Sequence, residues 1–263
     1  CSLPYGGLIL LPWGRICLIL AWGPRLEVNL YNYGEIAQHF SSYGIFQPNT
    51  MTLRGTIPDP NQTTPIGLNG GRLAEAIKAL IHEEDGELYF GSLYMDDILD
   101  MIDWASDISV DAPKKSNINA NIPTTRQIIE FTDRYMKENS RFTGYDASEG
   151  ALYVLFMLAL AMHPQGPSIF AVDSFDHALN PRLAKKMIQV FCEQIIQNNK
   201  HVFLTTHNPL VLDGLDLTND DIRLFAVDRD DNGHAQINRI LVSQELINEG
   251  QSLSRLWING RLG

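Results

Sequence analysis

Cysteine is scarce in this sequence. The 263 residues contain three cysteines, Cys1, Cys17 and Cys192, and no C-x-x-C pair. So few and so widely spaced cysteines exclude a disulfide framework and a cysteine-rich zinc site. They suit a reducing compartment, so we expect the protein to be cytoplasmic.

The motifs of several hydrolase classes are missing as well. The sequence has no H-E-x-x-H and no G-x-S-x-G, so neither a zinc hydrolase nor a serine hydrolase is indicated. None of its seven lysines follows a glycine. The phosphate-binding motif G-x-x-x-x-G-K-[S/T] is therefore absent from these residues.

The sequence also lacks an uninterrupted apolar run that could cross a membrane. Its most apolar segment, residues 6–23, is broken by Pro12, Gly14 and Arg15, whereas a membrane helix needs about 20 consecutive apolar residues. Two short apolar runs on either side of the break predict buried strands, and we expect no membrane association.

Positive charge is in the minority. Twenty lysines and arginines stand against 31 aspartates and glutamates, which gives a net charge of −11. This balance argues against a generally basic surface that coats nucleic acid. A local basic groove stays open, but the Lys114-Lys115 pair lies in a polar, breaker-rich segment that favours a solvated loop.

The segment from Ser168 to Asn208 predicts a strand, a helix and a second strand. Short apolar runs at Ile169–Val172 and Val202–Leu204 are typical of buried parallel strands, and residues 181–198 show helical spacing. The strands lead into Asp173 and His207. Because function gathers at the carboxyl ends of strands in open α/β sheets, we expect both side chains to face one cleft.

Four short motifs in this part of the chain resemble one protein family. In order they are D-A-S-E-G at residues 146–150, V-D at 172–173, A-L-N-P at 178–181 and T-T-H-N-P at 205–209. Their order and spacing resemble the C-terminal half of an ABC-type ATPase head, in the branch shared by RecF, SMC and bacterial AAA-family defence ATPases. The resemblance implies an α/β fold, a mostly parallel sheet of a P-loop ATPase head with a helical insertion subdomain.

The resemblance also implies roles for the motif residues, with ATP and Mg²⁺ as cofactors. Asp173 corresponds to the Walker B aspartate that holds Mg²⁺, Asn180 lies in the D-loop, and His207 corresponds to the switch histidine. Ser148, Glu149 and Gly150 correspond to the signature motif that binds ATP. From the residues alone, Ser148 at the start of an apolar helix can form an anion site or simply an N-cap.

Two departures from the family pattern concern catalysis. The position after Asp173 normally carries a glutamate that polarises water, and here it is Ser174. A hydroxyl is a poor general base near neutral pH, although Asp176, two residues further on, could act through a water. We therefore expect slow hydrolysis, or ATP used as a switch.

The missing phosphate-binding motif is the second departure. The sequence begins with cysteine rather than methionine, so we expect a longer polypeptide. The phosphate-binding loop would then lie upstream or on another chain. Within the sequence we predict three parts: apolar strands at 1–24, a helical insertion subdomain at 25–143 and the ATPase core at 144–263.

The partners that the resemblance implies follow from the signature motif, which meets ATP held by a second copy. We expect a homodimer with ATP between its heads, and an effector or nuclease partner as in Septu and retron-associated anti-phage systems. Two alternatives stay open. One is a non-catalytic ATPase-like scaffold, and the other is the ATPase half of an OLD-type nuclease, which needs a further domain with an acidic metal cluster.

Two weaker signals complete the sequence analysis. Gln47 follows an apolar pair and could correspond to the Q-loop glutamine of ABC ATPases, although a polar loop residue is the simpler interpretation. Residues 228–233 match the start of a calcium-binding EF-hand loop, but position twelve is Arg239 rather than glutamate. We therefore predict a hairpin that turns at Asn232-Gly233.

Overall fold

The fold is described from a computed structural model that covers residues 16–22, 43–63, 65–113, 127–136, 140–241 and 252–261. Its main sheet has six strands. In spatial order they are β12 (Ala235–Ile240), β11 (Ile222–Arg229), β1 (Ile16–Trp22), β10 (His201–Thr206), β9 (Ile169–Val172) and β2 (Ile45–Phe46). With the helices described below, this sheet confirms the predicted α/β class.

The main sheet is mixed in direction. Strands β2, β9 and β10 run parallel to one another, whereas β1 is antiparallel to both β10 and β11, and β11 is antiparallel to β12. The expected parallel arrangement is thus confined to the three strands at one side. These strands include the two that lead into Asp173 and His207.

Two long helices pack beside the sheet and against each other. Helix α4 (Glu149–Met162) is buried at every position from Ala151 to Met162. A helix that is apolar on all sides is stable only when it is buried, so the absence of a polar face in α4 matches its place in the core. Helix α5 (Pro181–Gln197) is amphipathic and buries one face, including Met187 and Phe191.

The crossover predicted from sequence is confirmed. Strand β9, helix α5 and strand β10 follow one another, and Val172 lies opposite Leu204 in the parallel pair. Pro181 occupies the first turn of α5, where its missing N–H costs no hydrogen bond. After β10, the short helix α6 (Pro209–Leu212) leads the chain away from the sheet edge.

The region before α4 departs from the predicted helical insertion, which is not confirmed. It contains two three-stranded antiparallel sheets. Sheet B consists of β3 (Ile81–Glu84), β4 (Glu87–Phe90) and β5 (Leu93–Tyr94); sheet C consists of β6 (Ala105–Asp111), β7 (Ile128–Asp133) and β8 (Arg141–Thr143). The helices between them are short: α1 (Thr50–Leu53), α2 (Leu73–Leu80) and α3 (Met95–Leu99).

In this region the apolar spacing predicts helices at 73–82 and 95–104 and a strand at 126–136. The first helix ends at Leu80, because β3 begins at Ile81, and the second ends at Leu99. The predicted strand is confirmed as β7. Buried side chains of α2, β4 and β7 join those of α4 and β9 in one hydrophobic core.

Several sequence predictions fall partly or wholly outside the described residues. These are the first apolar run before β1, the Lys114-Lys115 pair, and most of residues 244–257. The sequence pattern predicts a helix over 244–257, and the structure describes α7 (Leu253–Ile258) there. The hairpin predicted near 232–233 is confirmed, with Asp230 accepting backbone N–H groups of Asn232 and His234. Among the described helices, none has the length and apolar character that a membrane crossing requires.

Candidate functional site

The carboxylate of Asp173 is held at the carboxyl end of β9. Its Oδ1 accepts a hydrogen bond of 2.6 Å from the hydroxyl of Thr205, and its backbone N–H donates to the carbonyl of Phe46 at 3.2 Å. Because β9 and β10 are adjacent and parallel, Asp173, which follows β9, lies beside Thr205 near the end of β10. The Walker B candidate is therefore fixed by both neighbouring strands of the parallel part of the sheet.

Ser174 has a left-handed backbone, with φ of 58°. For a residue other than glycine this conformation costs about 1–2 kcal/mol. Two hydrogen bonds stabilise it: the Ser174 N–H donates to the Thr205 hydroxyl at 2.9 Å, and the Ser174 carbonyl accepts from the Tyr153 hydroxyl at 3.2 Å. The residue in place of the expected glutamate is thus tied down through its backbone.

A cleft of about 340 Å³ opens beside these residues. It is lined by Gln47, Pro48, Asn49, Asn69, Tyr153, Asp173, Ser174 and His177. Gln47 therefore lies in the same cleft as Asp173, although the sequence favoured a plain loop residue. The signal that could have ranked it higher is its position directly after β2, the strand that pairs with β9.

Tyr153 forms the floor of this cleft from helix α4. Its side chain is 1% exposed. Burial, and then the charges of Asp176 and Asp173, raise the pKa of Tyr153 far above its ordinary value. The phenol therefore stays protonated and donates its hydrogen bond to the carbonyl of Ser174.

His207 follows Thr206, the last residue of β10, and is exposed. It follows the carboxyl end of β10, next to β9 and Asp173, and the sequence predicted that the two side chains face one cleft. It is not among the residues that line the Asp173 cleft. The structure thus brings the two motifs to one edge without placing His207 in that cleft.

Asp176 is anchored to the same strand end by another threonine. Its Oδ1 accepts a 2.6 Å hydrogen bond from the hydroxyl of Thr206, and that hydroxyl also accepts from the Asn208 N–H at 3.1 Å. Asp176 does not line the Asp173 cleft. Its contacts hold the segment around His207, a role that the sequence pattern did not reveal.

The signature and D-loop candidates line a second cleft of about 440 Å³. Ser148, Gly150 and Asn180 are brought together there, with Arg182 and Lys186 of α5 and residues 100–104 on the other side. The two basic side chains were not predicted as site residues, because a charged helix face is usually only solvated. They give this cleft cationic groups beside two helix N-termini.

Ser148 and Asn180 both act as N-caps. The Ser148 hydroxyl accepts from the Ala151 N–H at 3.2 Å, and the Asn180 side-chain oxygen accepts from the Leu183 N–H at 2.9 Å. The simpler of the two sequence interpretations of Ser148 is therefore met. Gly150 lies close to the D-loop, since a Cβ atom built on it would be 3.1 Å from the Ala178 carbonyl oxygen.

Glu149, the signature residue between Ser148 and Gly150, lines neither of the two clefts. Its carboxylate accepts a hydrogen bond from the Thr50 hydroxyl of α1, and its Oε1 lies 3.5 Å from Nε2 of His177. His177 lines the Asp173 cleft. Glu149 thus links the first turn of α4 to α1 and to the loop after β9.

The described residues fit one part of a nucleotide site and not another. Within the described ranges, no cluster of three or more His, Cys, Asp or Glu side chains could hold a metal alone. A single carboxylate beside a threonine hydroxyl suits Mg²⁺, which keeps several waters and takes further ligands from phosphate oxygens. The phosphate-binding motif G-x-x-x-x-G-K-[S/T] is absent from the sequence.

Comparisons with known proteins agree with an ATPase-like domain. Neither the curated proteins nor the solved structures gave a match to this chain. One family model matches residues 78–213, which is just over half of the chain and includes the signature, Walker B, D-loop and switch-histidine candidates. The chain therefore belongs to the family described as "AAA domain, putative AbiEii toxin, Type IV TA system".

Proposed function

We propose that this protein is an ATP-binding ABC-type ATPase subunit that acts as a nucleotide-dependent switch for a partner effector. The observation that carries the proposal is the Asp173–Thr205 pair at the ends of two parallel strands, in a cleft that also contains Gln47. Mg²⁺ bound with ATP would neutralise phosphate charge there. In the proposal Asp173 orients that ion through water, and Gln47 supplies a further polar contact from the end of the neighbouring strand β2.

The signature cleft supports a site shared between two copies. Ser148, Gly150 and Asn180 line a different cleft from Asp173, so one copy does not bring all motif residues to one ligand. A second copy that presents its signature cleft to the first one's nucleotide would complete the arrangement. Arg182 and Lys186 would then add positive charge near the phosphates.

Slow or absent hydrolysis is part of the proposal. Ser174 has no basic group, and its backbone is fixed by Thr205 and Tyr153. Asp176 is engaged by Thr206 and lies outside the lining of the Asp173 cleft. No described carboxylate other than Asp173 lines that cleft, and His177, the one other side chain there suited to act as a base, lies beside Glu149.

The biological setting rests on resemblance. The motifs resemble those of ATPases in bacterial anti-phage systems, and the matching family is described as a putative toxin of a type IV toxin–antitoxin system. Both settings pair a protein with a second component. We therefore propose a protein effector, with a nuclease as one form of it, whose activity follows the nucleotide state.

The experiment measures ATP binding and ATP turnover separately in the intact protein, with and without Mg²⁺. We expect Mg²⁺-dependent binding, slow turnover, and loss of Mg²⁺-dependent binding in Asp173→Asn. Asp221→Asn, a change in a surface turn far along the chain, is the matched control and should bind normally. The proposal fails if Asp173→Asn binds Mg·ATP like the wild type.

The same measurements separate the alternative functions. Ser174 favours a non-catalytic scaffold as the second candidate, because it replaces the residue that activates water. A scaffold would show neither nucleotide binding nor a nucleotide-dependent change in assembly. Metal-dependent cleavage of DNA by the intact protein, without a partner, would instead favour the OLD-type nuclease.

A further inference from the structure

The segment that contains sheet B and helix α3 is the most acidic part of the chain. From Ile81 to Asp107 the sequence contains nine aspartates and glutamates and no lysine or arginine. That excess approaches the whole net charge of −11. Acidic residues in the rest of the chain are nearly balanced by lysine and arginine, so most of the net negative charge comes from this segment.

One face of sheet B carries a row of aromatic rings. The register places His82 opposite Tyr89 and Tyr89 opposite Tyr94, so the three side chains project from the same face. The ring centroids of His82 and Tyr89 are 5.5 Å apart, and those of Tyr89 and Tyr94 are 4.8 Å apart. Tyr94 is 51% exposed, so the row faces solvent.

The other face of sheet B is anchored in the protein. Phe90 alternates with Tyr89 along β4 and is fully buried. Asp85 and Gly86 make the β3–β4 turn, both with positive φ, as the Asp-Gly turn of a two-residue hairpin requires. The row of rings is therefore held in register by a tight turn and by core packing behind it.

Two carboxylates continue the aromatic row at the hairpin tip. Glu84 and Glu87 lie directly opposite each other in the β3–β4 register, on the same face as His82 and Tyr89. Like charges placed this way destabilise a sheet. Neither carboxylate forms an ion pair with a lysine or arginine in the described part of the chain.

The electrostatic effect of these carboxylates reaches the rings. A hydrogen bond with Tyr94, followed by burial and the charges of Tyr94, Glu84 and Glu87, raises the pKa of Tyr89 to about 12. Beside the row, Glu87, Tyr94, Asp96, Asp97 and Asp107 border a cleft of about 470 Å³. The rings thus lie in a strongly negative environment that continues into a recess.

Aromatic rows commonly stack nucleic acid bases, but this one is surrounded by the wrong charge. Proteins that bind single strands combine such rings with a basic groove along the phosphates. Here carboxylates border the rings, and they would repel a phosphate backbone. Tyrosine rings among carboxylates instead favour binding of a cation. Arginine can interact with the rings and the carboxylates alike, because its planar guanidinium stacks on rings and pairs with carboxylates.

We propose that the aromatic–acidic face, defined by His82, Glu84, Glu87, Tyr89 and Tyr94, binds an arginine-rich segment of a partner protein. Guanidinium groups would stack on Tyr89 and Tyr94 and relieve the repulsion between Glu84 and Glu87. The face shares no residue with the Asp173 cleft or the signature cleft. The inference is therefore independent of the proposed nucleotide function.

The test uses the intact protein and three fluorescein-labelled peptides of equal length: octa-arginine, octa-lysine and octa-glutamate. Fluorescence anisotropy at near-physiological salt gives the dissociation constants. We expect octa-arginine to bind about tenfold more tightly than octa-lysine, because only guanidinium groups stack and pair at once. Octa-glutamate should not bind.

Variants at Tyr94 separate stacking from general charge attraction. Tyr94→Leu should weaken octa-arginine binding about tenfold, whereas Tyr94→Phe, which keeps the ring, should stay within about twofold. Tyr135→Leu is the matched control, since Tyr135 is a 75% exposed tyrosine between β7 and β8 of sheet C. It should leave the dissociation constant unchanged.

Glu84→Gln distinguishes a binding role from a structural one. Removing one of two opposed charges should raise the melting temperature of the free protein and yet weaken octa-arginine binding several-fold. A purely structural carboxylate would not produce this opposition. If Glu84→Gln lowers the melting temperature and leaves binding unchanged, the proposal is wrong.

Other outcomes also overturn the proposal. Equal affinity for octa-arginine and octa-lysine, unaffected by Tyr94→Leu, would reduce the effect to nonspecific charge attraction. Tighter binding of a labelled oligothymidine that depends on Tyr94 would make the face a nucleic-acid site. Self-association that depends on Tyr94 and excludes the peptide would assign the face to a second copy of the chain.

Discussion

Asp176 Oδ1 accepts a hydrogen bond of 2.6 Å from the hydroxyl of Thr206, the residue immediately before His207. Thr206 is fully buried, and its hydroxyl in turn accepts the N–H of Asn208. One threonine therefore connects the loop after β9 to both residues that flank the switch-histidine candidate. A substitution at Asp176 should therefore alter the position of His207.

We predict that Thr206→Val destabilises the protein by about 1.5–3 kcal/mol, because the buried bond joins a hydroxyl to a charged group. Urea denaturation followed by circular dichroism measures the change in the free energy of unfolding. Thr218→Val is the matched control, since the Thr218 hydroxyl bonds to Asp216 at an exposed position. It should cost well under 1 kcal/mol, and an equal cost for both variants would contradict the prediction.

Asp176→Asn tests whether Asp176 positions His207 or activates water. An amide can still accept the Thr206 hydroxyl bond but cannot act as a base. If Asp176 only positions the strand end, turnover in Asp176→Asn should stay within about threefold of the wild type. A loss of about 100-fold would show that Asp176 serves as the general base.

Ser174→Glu should restore a base beside Asp173. In the proposed site we expect an increase in ATP turnover of about 10–100-fold with little change in ATP affinity. The left-handed backbone at this position also disfavours any residue with a Cβ, so glutamate should cost no more than serine in conformational strain. Steady-state turnover and equilibrium binding measure the two effects separately.

Ser174→Gln is the control for Ser174→Glu. It is nearly identical in size and lacks the carboxylate, so it should not accelerate turnover. An equal rate increase in both variants would mean that size rather than basicity matters. No increase in Ser174→Glu, despite normal ATP binding, would argue for a switch whose slow turnover has another cause.

The parts of the fold that sequence could predict are those specified by uniform burial. Strands β9 and β10 are short apolar runs, and α4 is apolar at nearly every position, so both patterns point to the core. Proline and asparagine at the start of α5 marked its N-terminus. Because these elements were predicted, the positions of the motif residues along the chain, at the ends of the elements, followed from them.

Sheet B shows why other parts could not be predicted. Residues 73–82 continue a helical pattern of apolar residues, but the chain leaves the helix after Leu80 and pairs Ile81 with Phe90. That pairing is a tertiary choice, and the local pattern gives no sign of it. One local signal was available, since Asp85-Gly86 between short strands is a strong hairpin signature.

The clefts also depended on contacts that no motif records. The resemblance assigned the signature motif of Ser148 to ATP held by a second copy, and the structure puts Ser148 and Asn180 in a cleft separate from that of Asp173. Threonines 205 and 206 matched the motif only as neighbours of His207. Their hydrogen bonds to Asp173 and Asp176 come from the alignment of β9 with β10.

Glu149 should couple the signature helix to α1. Its carboxylate accepts the Thr50 hydroxyl bond and lies near His177. We predict a coupling energy of about 1 kcal/mol in a double-mutant cycle of Glu149→Ala and Thr50→Val, measured by urea denaturation. The pair Glu149→Ala and Thr56→Val is the control, because the Thr56 hydroxyl bonds to the backbone of Met51 instead. Equal coupling in both cycles would contradict the prediction.

Lys200 should give the protein an unusual dependence of stability on pH. Its side chain is 5% exposed, and Nζ donates to the carbonyls of Leu160 and His163 at the C-terminal end of α4, both at 2.9 Å. Burial lowers the pKa of Lys200 from 10.5 to about 8. The neutral amine retains two N–H donors, so it can keep both hydrogen bonds.

The sign of the effect follows from proton binding. Between pH 8 and 10.5 the unfolded state binds more protons than the folded state, so this lysine makes stability rise with pH. Below pH 8 it is charged in both states and contributes no pH dependence. Across the interval the contribution is on the order of 3 kcal/mol.

Lys200→Met removes the titrating group, so the free energy of unfolding of the wild type should increase relative to that of the variant as pH rises. Urea denaturation of both proteins at pH 7, 8, 9 and 10 measures the difference, and Lys185→Met, at an exposed position of α5, should stay parallel to the wild type. Parallel curves for Lys200→Met as well would contradict the prediction, because they would show that folding does not lower the pKa of Lys200.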